Sequence, residues 1–103
     1  MIEFKDIGGG IGIVTLCRPE AANAMTVPMV DALRAELARI EADKSIRVVV
    51  LAAQGTVFCA GLDLKEIRGE GAPSNPSALM DLQERFAGLM QDVARARFPV
   101  IAA

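Results

Sequence analysis

A chain of 103 residues suffices for one small domain, and at that size folding buries roughly 60–70% of the surface that the unfolded chain exposes. Apolar residues make up 52% and charged residues 23%, a balance that excludes a disordered chain and points to a folded one. The 13 acidic and 11 basic residues are scattered and leave a net charge of −2, so no basic stripe follows a phosphate backbone and nucleic acid is not an expected partner.

Ile2 to Ile7 alternates apolar and polar residues as an edge strand does, Gly8-Gly9-Gly10 turns, and Ile11 to Cys17 forms a second strand. The second strand is apolar on both faces except at Thr15, the pattern of a strand covered on two sides. Arg18-Pro19-Glu20 breaks it, because proline lacks a ladder donor. Thr26 is placed to cap a helix that tolerates Pro28 in its first turn and runs to about Ala42, with Val30, Leu33, Leu37 and Ile40 on its buried face and Arg34, Glu36, Arg39 and Glu41 towards water.

Ile46 to Ala53 is a short β-branched run that reads as a central parallel strand reached by a right-handed crossover. Gln54-Gly55-Thr56 turns out of it, and a short helix is expected from Leu62 to Arg68. Residues 69–77, with two glycines, two prolines and two serines, are expected to form a flexible surface loop. Ser77 is the expected cap of a second long helix to about Arg97, striped by Leu79, Leu82, Phe86, Leu89 and Val93. Phe98 to Ala103 begins another buried strand that needs neighbours, so residues 1–103 are expected to be a single incomplete α/β domain. No apolar run approaches the ~20 residues of a membrane span, and MIEFKDIGGG lacks a basic region followed by an apolar one, so no membrane and a cytoplasmic location are expected.

The chain has no histidine, which removes a Cys–His or Ser–His pair, a histidine base and the common zinc sites; no metal is expected. Cys17 and Cys59 are expected as free thiols, and without an activating base Cys59 is a packed thiol in preference to a nucleophile. The cluster Gly8 to Gly12 leads into a strand and not a helix, so it is not a dinucleotide-binding loop. Ala60-Gly61 lets backbone pass close to a ligand, and the unpaired N–H groups of a helix starting near Leu62 would make an oxyanion site. An ordinary tight turn into a helix would read the same way. Asp63 suits a helix cap or a loop amide better than acid–base work, Lys65 and Arg68 suit a solvated face, and Asn23 could brace its own turn.

TLCRPEAANAM (Thr15 to Met25), IRVVVLAAQGTVFCAGLDLKEI (Ile46 to Ile67) and the terminal FPVIAA together resemble the crotonase family of enoyl-CoA hydratases and isomerases over nearly the whole chain. The resemblance implies the N-terminal part of a ββα spiral fold, with a mostly parallel sheet and flanking helices. It implies an acyl-CoA thioester as ligand, coenzyme A entering as part of the substrate and no permanently bound cofactor. The backbone N–H matching Leu62 would be one of two donors that hold the thioester carbonyl as it becomes an enolate. Ala22, Ala24, Ala60, Gly61, Leu62, Asp63 and Leu64 would line the bound acyl-CoA, with Ala22 and Ala24 bordering its adenine and pantetheine arms. Cys17 departs from the asparagine common after the TL pair, and Leu62 replaces the more usual alanine.

In the family the second donor and the acidic residues of the chemistry lie downstream of the PVIAA strand, so Glu66, Glu70, Asp81 and Glu84 are expected to be surface charges. Losing a donor and the acid–base groups would remove about 10²–10³ and 10²–10⁴ in rate, so residues 1–103 alone are expected to be inactive, and a binding or assembly module is the alternative reading. Family members usually form trimers or dimers of trimers.

Overall fold

The computed structural model describes residues 1–63, 65 and 76–103. The chain starts with a hairpin of strands β1 (Ile2–Gly8) and β2 (Ile11–Leu16), followed by helix α1 (Val27–Ala42), strand β3 (Val48–Ala53), helix α2 (Pro76–Arg95) and strand β4 (Val100–Ala102). The four strands lie in chain order in one sheet, β1 antiparallel to β2 and the other pairs parallel. In the parallel register Ile11 faces Val48 and Leu16 faces Ala53, so the ends of β2 and β3 lie level and both chains leave the sheet at the same edge.

Side-chain alternation decides which face of the sheet the helices cover. Val14 and Leu16 of β2 and Val49 of β3 point to one side, where they meet Met29, Val30, Leu33, Leu37 and Ile40 of α1 and Leu82 and Leu89 of α2. Each fully buried side chain of this size is worth roughly 1.5–3 kcal/mol relative to exposure, so this single layer dominates the stability of the described part. Phe4 of β1, opposite Val14 in the register, packs on the same layer and carries the Arg39 guanidinium over its ring at 4.4 Å. Gly12 is needed beneath it, because a Cβ there would come within 2.7 Å of the Phe4 ring. The other face, with Ile13, Thr15, Val50 and Ala52, is only partly covered, so the two-sided burial expected of β2 is one-sided among the described residues.

Thr26 caps α1 as expected, in extended conformation with its hydroxyl accepting from the Met29 N–H at 3.2 Å. At the other end Arg97 collects carbonyls in and just beyond the last turn of α1, its guanidinium donating to the backbone oxygens of Ile40, Glu41, Asp43 and Ile46. The sequence pattern carries α2 on to Arg97, but the helix stops at Arg95, which leaves Arg97 to cap its neighbour. Pro76 and Ser77 form the first turn of α2, where a residue without an amide proton is tolerated, so Ser77 is not the cap. The rest of the expected loop, 69–75, lies outside the described residues, as do 66–68 of the expected short helix.

The helices are joined across their outer faces by Arg34 to Asp92 and Arg85 to Asp31, both at 2.7 Å but exposed to water, which screens each pair and leaves it little weight in the stability of the fold. Among the described residues no helix is long and apolar enough to cross a membrane. Replacing Thr26 by Ala removes the first-turn acceptor and is expected to cost about 1 kcal/mol, seen in urea unfolding as a lower midpoint with unchanged slope.

Candidate functional site

Because β2 and β3 are parallel and end level, the loops that follow them, 17–26 and 54–63, rise from the carboxyl edge of the sheet side by side. The first loop turns tightly through a 3₁₀ turn at Pro19–Ala21, and Ala22 and Asn23 follow with left-handed φ values of 52° and 55°. Asparagine tolerates that conformation better than most residues, and here it is fully buried. Its Oδ1 accepts from the Arg18 N–H at 2.8 Å, and its Nδ2 donates to the carbonyls of Gln54 and Val57, each at 2.8 Å. The side chain thus braces its own turn, as the sequence allowed, and also ties that turn to the neighbouring loop.

Three main-chain bonds continue the seam. Ala60 N–H donates to Ala22 O at 3.0 Å, Met25 N–H to Gly61 O at 2.7 Å, and Asp63 N–H to Met25 O at 2.8 Å. The last two make a parallel bridge between Met25 and Leu62. Its geometry controls the next amide along. In a planar trans peptide the carbonyl of Gly61 and the N–H of Leu62 point in opposite directions, so anchoring the oxygen on Met25 turns the Leu62 N–H away from the first loop. Among the described residues that N–H has no acceptor.

Around it the backbone is open. Gly61 has φ +98°, a conformation that strains any residue with a Cβ, and an added Cβ would meet nothing within 4 Å. Its own N–H donates to the Cys59 sulfur at 3.4 Å. The Leu62 side chain packs against the core layer, so its bulk lies on the protein side. A helix beginning at Leu62 is not what forms: Leu62 sits in the bridge, and Lys65 is the first helical residue after it among those described. Asp63 supplies the turn between them, its Oδ1 accepting from the Lys65 N–H at 3.1 Å while its Oδ2 pairs with Arg18 Nη1 at 2.7 Å. The same Arg18 nitrogen also donates to Ala24 O at 3.0 Å.

Of the residues singled out from sequence, Ala22, Ala24, Ala60, Gly61, Leu62 and Asp63 are gathered along this seam, all of them partly or fully exposed; Leu64 lies outside the described residues. Arg18 has no role in the sequence reading beyond ending β2, and its partner Asp63 lies 45 positions away. Both thiols are free, and burial, followed by the Glu3 carboxylate, pushes the Cys17 thiol above its ordinary pKa, which makes it a poorer nucleophile at neutral pH. A cavity of about 610 Å³ between α1 and α2, near Ala35, Ala38 and Ala96, is separate from the seam and lined by none of its residues. Chemically, the seam offers one outward main-chain donor beside an open glycine, an arrangement suited to a carbonyl oxygen that gains negative charge.

Comparison with known proteins agrees with this architecture. Residues 6–103 match the family model described as enoyl-CoA hydratase/isomerase. The crystal structure of an enoyl-CoA hydratase from Mycobacterium smegmatis superposes with a TM-score of 0.89 at 38% identity, covering 98% of this chain and 38% of that one. Another, from Bacillus anthracis, reaches a TM-score of 0.90 at 28% identity over 98% of this chain and 38% of that one. The mixed sheet and flanking helices are therefore part of a crotonase fold, and the chain belongs to the enoyl-CoA hydratase/isomerase family. In sequence it is 38% identical, over 95 residues, to a protein of Rhizobium meliloti (strain 1021) named "Probable enoyl-CoA hydratase", covering 92% of this chain and 35% of that protein. The chain thus spans little more than a third of the length of these relatives.

Asn23 provides the sharpest test of the seam. Asn23→Ala leaves the Gln54 and Val57 carbonyls without their donor and is expected to cost about 1–3 kcal/mol in urea unfolding. Asn23→Asp turns a carboxylate oxygen toward those same carbonyls, so its folded-state pKa is raised. It should destabilise more than Ala at pH 7 and recover stability as the pH falls and the carboxyl regains a proton to donate.

Proposed function

We propose that the seam between residues 22–25 and 60–63 receives the thioester group of an acyl-CoA and that the Leu62 N–H stabilises the oxyanion as an enolate forms. The observation that carries this reading is the outward Leu62 N–H, without an acceptor among the described residues, held by the bond from Met25 N–H to Gly61 O. A preorganised donor of that kind contributes about 2.7–4 kcal/mol to transition-state stabilisation, because it gains strength as charge develops and needs no reorientation. The small side chains of Ala22, Ala24 and Ala60 leave room along the seam for the flat adenine and narrow pantetheine arms of coenzyme A. Leu62 keeps the donor that an alanine would present and directs its extra carbons into the core layer.

In the hydration of a 2-enoyl-CoA, polarising the carbonyl makes the β-carbon electrophilic. Water adds there as its proton leaves to a base, and the resulting enolate is protonated at the α-carbon. Residues 1–103 supply the polarising donor and the binding surface. The acid–base groups and a second donor belong to further chain of the kind the longer relatives possess, and a trimeric or hexameric assembly fits the same reading. These 103 residues by themselves should bind an acyl-CoA without appreciable turnover.

Calorimetric titration with crotonyl-CoA tests the proposal. Leu62→Ala retains the N–H and should bind like the parent chain. Leu62→Pro removes it and should bind about three- to tenfold more weakly, the worth of one hydrogen bond, while affinity for free coenzyme A, which has no acyl carbonyl, stays the same. No heat with crotonyl-CoA, or equal affinity of both variants, would remove the basis for the assignment.

A further inference from the structure

We propose that the Arg18–Asp63 ion pair is a positioning device for the Leu62 amide, setting the angle at which that N–H meets a thioester oxygen. The inference rests on the reading of the seam given above. Asp63 directly follows Leu62 and is held by several contacts, among them its N–H on Met25 O, its Oδ1 under the Lys65 N–H and its Oδ2 on Arg18. Arg18 is fixed just as closely, its backbone N–H on Asn23 Oδ1 and its Nη1 shared between Ala24 O and Asp63. The pair therefore brackets the Met25–Leu62 bridge, gripping the residue before Met25 on one strand and the residue after Leu62 on the other. Any slide or twist of one loop against the other changes the plane of the Gly61–Leu62 peptide, and with it the direction of the donor.

Energetics separate this role from simple stability. The side chains are only 21% and 11% exposed, so much of the Coulomb attraction is offset by the water both groups lose, and such a pair adds little net stability over a well-packed neutral substitute. Catalysis is far more sensitive, since a misplacement of about 1 Å can cost 10²-fold in rate. A pair that contributes little to the fold can thus still govern the one vector the chemistry uses. The other ion pairs among the described residues, Arg34 with Asp92, Arg39 with Glu36, and Arg85 with both Asp31 and Asp81, lie on the helices and involve no residue of the seam.

The test uses a 4-dimethylaminocinnamoyl-CoA thioester, whose absorption moves to the red when its carbonyl is polarised. The chain itself should bind the probe and shift it. Asp63→Asn keeps the acceptor for the Lys65 N–H but loses the charge, and Arg18→Lys keeps the charge but replaces the guanidinium, whose Nη1 reaches both Ala24 O and Asp63, with a shorter side chain of different geometry. Both should bind within about threefold of the parent affinity while losing most of the red shift, the separation of binding from polarisation that marks a positioning residue. An unshifted probe on the parent chain would overturn the seam reading and this inference with it. A normal shift in parent and variants alike would overturn only the positioning role. Affinity and shift falling together, or failure of both variants to fold, would assign the pair to stability and overturn it as well.

Discussion

The hydrogen bond from the Met25 N–H to the Gly61 carbonyl is the constraint on which the site depends. It is an ordinary main-chain bond, but peptide planarity makes it direct a second group: with the oxygen anchored inward, the Leu62 N–H must face outward. Gly61 permits this because its φ of +98° is open only to a residue without a Cβ, and the same lack of a side chain keeps the approach clear. An N–H fixed in this way needs no reorientation to meet an acceptor.

The remainder of the described structure holds that bridge still. The level ends of β2 and β3 bring the two loops to one edge, and the apolar layer beneath α1 and α2 keeps those strands in register. Thr26 starts α1 directly after Met25, so the helix begins where the bridge ends. Buried Asn23 and the Arg18–Asp63 pair then join the loops from two further directions. Polar groups thus do at the sheet edge what apolar packing does beneath it. Directional bonds suit that task, because main-chain carbonyls near the surface accept a fixed donor but give a hydrophobic contact nothing to grip.

The elements legible in the sequence were those with a strong period or local chemistry. The spacing of Val30, Leu33, Leu37 and Ile40, together with the Thr26 cap, specified α1, and the β-branched run after Ile46 specified β3 apart from its first two residues. Misread features turned on contacts between distant segments. Leu62 reads in the sequence as the start of a short helix, yet it forms a parallel bridge with Met25 instead. Arg97 looked like the end of α2, but four carbonyls around the end of α1 claim its guanidinium. The cluster of small residues around Ala22 and Ala60 was visible in the motifs. The bonds of Arg18 and Asn23 that hold the cluster together were not, since a single cation or amide carries no period and its partners lie dozens of positions away.

Amide hydrogen exchange of the free chain, followed residue by residue by NMR, distinguishes an N–H bonded across the bridge from one that faces solvent. Met25 and Asp63 should exchange slowly because their N–H groups are bonded across the bridge, whereas Leu62 should exchange quickly and become protected only when an acyl-CoA is added. A Leu62 amide already protected in the free chain, or one whose exchange an acyl-CoA leaves unchanged, would contradict the role given to this N–H.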